Sequence, residues 1–250
     1  MALTYGTIWG DYGDEKVTST TADLGLTVGT RMILPDGRVF RYAFSNGAAG
    51  AGTGVQSSAA VANHDSDLAV ASTAAVGAKS VSVTLGGTAA AEDLYANGYL
   101  FFNTAAGSGQ VYRIRQHDAI GSGGTGTINL MDGDTLVEAL TTSSKAGLVL
   151  NPYMHVIPSP GGAQTGRTVG FAPCDVADDS YFWAQTWGEA AVEADGTLVI
   201  FRPIRMSDGQ AGAVEEYSSQ TDAEEQVVGF ATNILAADEH FQFAFLTIGP

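Results

Sequence analysis

The chain has 250 residues, with 11 basic side chains against 27 acidic ones and a formal charge of −16. That acidic excess excludes a nucleic-acid binder, which needs a basic footprint to displace counterions, and a partner of anionic membrane surfaces. Hydrophobic residues at 45%, charged residues at only 15% and 32 glycines point to an all-β protein with many tight turns rather than a disordered tail.

Residues 1–15 carry Tyr5, Trp9 and Tyr12 among glycines and end on Asp14-Glu15. Three rings in a non-periodic segment form no core alone, so they are expected to dock on their own domain or on a neighbouring subunit. Met1-Ala2-Leu3-Thr4 lacks the basic and apolar regions of a signal peptide. No run is long enough to span a bilayer, which predicts a chain made in a cytoplasm and kept out of membranes. Residues 31–34 and 38–44 flank Pro35-Asp36-Gly37 and read as a hairpin, since Pro presets φ for the turn and Gly supplies a positive φ. Residues 46–78 are rich in Gly, Ala and Ser, too small to bury much area. They predict an extended arm or long loop, flexible in the free protein and suited to lying across a neighbour.

Residues 79–85 alternate, with Val81, Val83 and Leu85 on one face and Ser80, Ser82 and Thr84 on the other. Residues 89–96 predict a short helix stopped by Asn97-Gly98, and residues 136–140 one more helical turn. Strands over 99–102, 110–115, 127–130 and 145–150 complete a β-domain. Pro158-Ser159-Pro160-Gly161-Gly162 is the strongest linker signal. The expected organisation is therefore an N-terminal hairpin and arm (1–78), a β-domain (79–160) and a C-terminal β-domain (161–250). The minor helical content is confined to the middle. Both β-domains are expected to be of sandwich or barrel type.

The C-terminal part carries most information. Residues 169–200 combine dense aromatic and β-branched runs with turn residues, the pattern of consecutive antiparallel strands. Val169-Gly170-Phe171-Ala172 recurs as Val228-Gly229-Phe230-Ala231, an offset of 228 − 169 = 59. In that register Ala236 matches Ala177, Asp238 matches Asp179 and Phe241 matches Phe182, which predicts two copies of a strand–turn–strand unit. Simple alternation puts Tyr181, Trp183, Gln185 and Trp187 on one face of a strand, and Phe182, Ala184 and Thr186 on the other. Rings on both faces imply cover on both, by a partner sheet and by either the same domain or another subunit.

Motifs for chemistry fail on context. Gly121-Ser122-Gly123-Gly124-Thr125-Gly126 matches a dinucleotide fingerprint but is followed by strand residues instead of a helix, so it reads as a hairpin loop. His64, His117, His155 and His240 lack the spacing of a zinc site. Asp132-Gly133-Asp134 lacks the rest of a calcium loop, and Asp175, Asp178 and Asp179 read as a solvated turn. The single Cys174 can form no internal disulfide, and its acidic neighbours disfavour a thiolate. Neither a catalytic site, a cofactor nor a metal is expected.

Val-Gly-Phe-Ala, the acidic turn, Tyr181-Phe182-Trp183-Ala184-Gln185-Thr186-Trp187-Gly188, Asp195-Gly196-Thr197-Leu198 and the second Val-Gly-Phe-Ala together resemble virion structural proteins of tailed bacteriophages. The closer resemblance is to capsid decoration (cement) proteins. It implies a non-enzymatic β-rich subunit, often a homotrimer, on the exterior of the virion head, where it clamps neighbouring copies of the major capsid protein. The interface candidates are Tyr5, Trp9, Tyr12, Tyr181, Trp183 and Trp187. A carbohydrate- or host-surface-binding module on a head or tail fibre is the alternative, with exposed Trp and Tyr stacking on sugar rings. A hydrolase would need a paired carboxylate site.

Overall fold

The computed structural model describes residues 6–23, 25–218, 225–233 and 240–250. Tyr5 and the repeat positions Ala236 and Asp238 lie outside them. The chain forms two compact units, residues 1–58 with 152–250 and residues 59–151. The first unit begins with β1 (Thr7–Trp9), a 3-10 turn (Asp14–Lys16), β2 (Arg31–Ile33), β3 (Val39–Phe44) and β4 (Gly54–Gln56). The second holds β5 (Leu68–Val70), β6 (Ser80–Thr84), β7 (Tyr99–Thr104), β8 (Val111–Gln116), β9 (Thr125–Leu130) and β10 (Lys145–Val149). The first then resumes with β11 (Ile157–Pro158), β12 (Thr168–Phe171), β13 (Tyr181–Ala194) and β14 (Pro203–Met206). It ends with β15 (Val214–Glu216), β16 (Gly229–Ala231) and β17 (His240–Thr247). The all-β expectation holds.

In the second unit the strands close into a barrel in the order β10-β5-β6-β9-β8-β7. Alternation in β6 sends Val81 and Val83 inward and Ser80, Ser82 and Thr84 outward, as the sequence predicts. Buried polar groups must find partners inside, and here two histidines and a tyrosine supply them. The Tyr95 hydroxyl donates to His64 Nδ1 (2.5 Å), and His64 Nε2 donates to the Thr88 carbonyl (2.8 Å). The Tyr95 amide donates to His117 Nε2 (3.1 Å), whose Nδ1 donates to the Asp118 carbonyl (2.7 Å). Tyr95→Phe strands a buried acceptor on His64. It is expected to lower stability by about 1.5 kcal/mol, measured as a shifted urea midpoint with an unchanged slope.

The spine of the first unit is β13, fourteen residues long. Its first half pairs with β3 and its second half with β17, both antiparallel. The sheet runs β1-β2-β3-β13-β15-β14-β16-β17, and the β13–β17 pairing closes the last five strands into a ring. That ring encloses Val192, Ala194, Leu198, Ile204, Val214 and Leu246. Branching from β13, β12 pairs with β4, and β4 with β11. The predicted hairpin is β2–β3, with Gly37 at φ +84° in the turn.

Several expectations change. The division does not fall at 158–162: Ile157–Pro158 is a strand on β4, and the second unit is inserted between two parts of the first. Pro158 is tolerated there because it sits at a strand end that needs no further N–H. Residues 46–78 are no free arm. The amides of Ala49, Gly52 and Gly54 donate to the carbonyls of Val176, Ala172 and Gly212, and Val55 and Gln56 are fully buried. Small residues here allow close approach: a Cβ on Gly54 would overlap Met206. Residues 89–96 are turns rather than helix, because Ala90 bridges Ile120 and Asp93 takes a φ of +57°. Residues 136–140 form a bend at 137–138 rather than a helical turn, with the Leu136 and Leu140 amides bound to the carbonyls of Ala78 and Ala74 while both side chains enter the barrel core.

The repeat forms two antiparallel pairs, β12 with β13 and β16 with β17. Its glycines do the same job. A Cβ on Gly170 would lie 2.9 Å from the Gln185 carbonyl, and one on Gly229 would overlap the Phe245 carbonyl. The copies differ in facing: Phe171 is buried and Phe230 exposed.

Candidate interaction surface

The site begins with a β-bulge. Phe40 pairs with Gln185 but the next residue of β3, Val39, pairs with Trp187, so Thr186 is the extra residue. Its hydroxyl donates to the Gly249 carbonyl (2.6 Å), and Gly188 beyond it has φ +90°. A bulge shifts side-chain facing by one. Trp187 therefore leaves the face of Trp183 and joins that of Phe182 and Ala184, against the simple alternation expected from the sequence.

Past the bulge, β13 turns Gly188, Ala190, Val192 and Ala194 into the ring and Trp187, Glu189, Ala191 and Glu193 outward. Next to it, β17 turns Gln242, Ala244 and Leu246 inward and Phe241, Phe243 and Phe245 outward. Cross-strand pairing puts Phe245 beside Glu189, Phe243 beside Ala191 and Phe241 beside Glu193. Phe230 of β16 pairs with Phe245 and extends the row, and Trp187 meets Phe245 edge-on at 5.4 Å. Phe241 is 54% exposed and Phe243 51%. This sheet is thus apolar on both faces, with the outer one uncovered among the described residues.

The outer face floors an open groove of about 830 Å³. Gly52, at φ +78°, forms part of its wall, where a Cβ would come within 2.6 Å of the Phe241 ring. Arg38 stands at one side, bound to Asp36 (2.7 Å) and to the buried Glu15 (3.4 Å). Lys16 lines the same groove, is exposed and makes no salt bridge among the described residues. Glu189 accepts from the Thr232 hydroxyl (3.1 Å).

The sequence-derived candidates separate into three kinds. Tyr181 stacks on Tyr42 at 5.4 Å, and Trp183 is 6% exposed against the same Tyr42. Trp183 is core and half-buried Tyr181 packs against it, so Trp183 offers no platform to a sugar. Trp9 and Tyr12 are 78% and 65% exposed, and Trp187 lines the groove. Phe230, Phe241, Phe243 and Phe245 went unselected. Their signal was the alternation Phe241-Gln242-Phe243-Ala244-Phe245, which reads as rings inward, whereas the ring enclosed by these strands takes Gln242 and Ala244 instead.

Comparison with protein-family models, curated proteins and solved structures finds no match. The surface is therefore interpreted on its own chemistry. Among the described residues no group of His, Cys, Asp and Glu is arranged to hold a metal ion, and no helix is long and apolar enough to cross a membrane. Burial and the Asp175 charge push the Cys174 thiol up, partly offset by Lys16. Burial holds His155 below its ordinary value despite the Asp179 charge. What the site can do is exclude water from flat aromatic area, with a cation and carboxylates at its margin to set orientation.

Proposed function

We propose that this chain is a structural virion protein, a capsid decoration subunit that binds the outside of a head lattice and stabilises it without making or breaking a bond. The observation that carries the reading is the outward aromatic row on β13, β16 and β17, backed by a filled core on its other side. Contiguous exposed apolar surface of this kind marks a protein contact, and Phe and Trp are enriched at such contacts. The partners are other copies of the chain and the major capsid protein. An interface of about 1,600 Å² at each of several positions would sum through multivalency.

The test mixes the purified chain with empty shells of the co-encoded major capsid protein. Co-sedimentation and a higher shell-disruption temperature are expected, both weakened by Phe243→Ser. Failure to co-sediment at micromolar concentration would remove the reading. A glycan-binding module is the second reading, favoured by Trp187 beside Lys16 and Glu189 in an open groove. Glycan-array binding lost in Trp187→Ala would support it.

A further inference from the structure

Trp9 and Tyr12 are exposed rings of the first unit, and neither is among the residues that line the groove. Trp9 sits on β1, at the edge of the sheet, and the groove lies over β13 and β17. The register Trp9↔Ile33, Ile33↔Val39, Val39↔Trp187 and Trp187↔Thr247 puts four strand spacings between Trp9 and β17. At about 4.8 Å each, that is about 19 Å along the sheet. Trp9 is pinned there by pairing with Ile33, and the amide of Gly10 continues the ladder to the Ile33 carbonyl (3.0 Å). Trp9 is thereby held off the aromatic floor of its own groove on β17, while Lys16, Asp36, Gly37 and Arg38 form the groove's nearer side.

The two places match in chemistry. The segment Trp9-Gly10-Asp11-Tyr12 presents a ring, an acid and a ring, all but Gly10 exposed. The groove presents rings and the exposed cation of Lys16, while its carboxylates are engaged elsewhere, Asp36 by Arg38 and Glu189 by the Thr232 hydroxyl. Neither Asp11 nor Lys16 has an ion-pair partner among the described residues. The volume of about 830 Å³ is within the range of sites that enclose a drug-sized ligand, enough for an indole.

We infer that the groove over β13 and β17 receives the Trp9–Tyr12 segment of a second copy of this chain, with Asp11 of one copy facing Lys16 of the next. Each copy then offers one arm and one groove. Such a head-to-tail contact builds a closed ring where its rotation closes and an open filament where it does not, so self-association follows from one contact type. The inference rests on the reading of the outward face as an interface. It concerns only contact between copies, so loss of shell binding with intact self-association strikes the shell reading alone.

Sedimentation velocity over a dilution series of the full chain tests it. The wild type is expected to associate. Trp9→Ala weakens association about thirtyfold, as an aromatic anchor would, and Phe243→Ala does so from the groove side. Asp11→Lys and Lys16→Asp each weaken it about fivefold, and the double reversal restores it. All four side chains are exposed, and an unchanged thermal midpoint checks that each variant folds. A wild type that is monomeric throughout, or a double reversal no better than either single change, overturns the inference.

Discussion

Gly229→Ala is expected to destabilise the protein by about 3 kcal/mol, the upper end for forcing an extra methyl into a packed site. The new Cβ would overlap the Phe245 carbonyl oxygen and lie 3.1 Å from Leu246 Cα. Both are backbone atoms of β17, locked by pairing to β16 on one side and β13 on the other. No rotamer change relieves the clash, so the strand itself must shift. Gly54→Ala is the informative control. There the overlap is with the sulfur and terminal methyl of Met206, the far end of a flexible side chain, and the cost should be markedly smaller. Urea midpoints of the two variants against wild type decide the matter. Equal costs would mean that β17 yields as readily as a methionine.

A second large effect is expected at Arg205, whose side chain is 7% exposed. Its guanidinium holds Glu215 (2.6 Å), Glu225 (2.7 Å) and Asp208 (3.2 Å), and donates to the Met206 carbonyl (2.9 Å). Arg205→Met removes the cation and leaves the carboxylates facing one another. Breaking a buried pair costs about 3–5 kcal/mol. The carboxylates retain solvent, which brings the expectation to about 3 kcal/mol.

The loss should depend on pH. Burial already lifts Glu215 above the usual carboxylate range, against the lowering effects of the Asp208 amide and Arg205. A folded-state acid with a raised pKa binds its proton more tightly than the unfolded chain does. Its contribution is therefore present at low pH and is lost as pH rises through the folded value. Without Arg205 that value climbs further. The deficit of the variant relative to wild type should be smaller at pH 5 than at pH 8, read from urea midpoints at both. A deficit that does not change with pH would show that Glu215 is not coupled to the arginine.

Local rules carried some of this fold and failed at identifiable places. The Pro35-Asp36-Gly37 turn and the alternation in β6 were legible because turn chemistry and period are local properties. The repeated Val-Gly-Phe-Ala was visible, and its glycines share a steric role, but the opposite facing of Phe171 and Phe230 was not. Which side of a strand is inside depends on what the strand closes against. The bulge at Thr186 is one extra residue without a sequence mark of its own, yet it moves Trp187 from core to groove. The Gly- and Ala-rich stretch misled because small side chains permit tight packing as readily as they permit freedom. In the same way, residues 89–96 have helix-forming composition, but the bridge of Ala90 to Ile120 takes over their backbone bonds.

The insertion of residues 59–151 between the two parts of the first unit bears on the cost of closing that unit. Gln56 pairs with Ile157, and the Ser58 hydroxyl donates to the His155 carbonyl, so the chain departs and returns at one spot. Between them lie residues 59–151, which is 151 − 59 + 1 = 93 residues. Closing a flexible loop of that length costs roughly 2 kcal/mol more than closing one of about ten residues. A barrel that has already condensed brings its two ends together and acts as the shorter tether. Pairing of β5 with β10 inside the barrel thus shortens the effective loop between Gln56 and Ile157 and lowers the entropic cost of joining them.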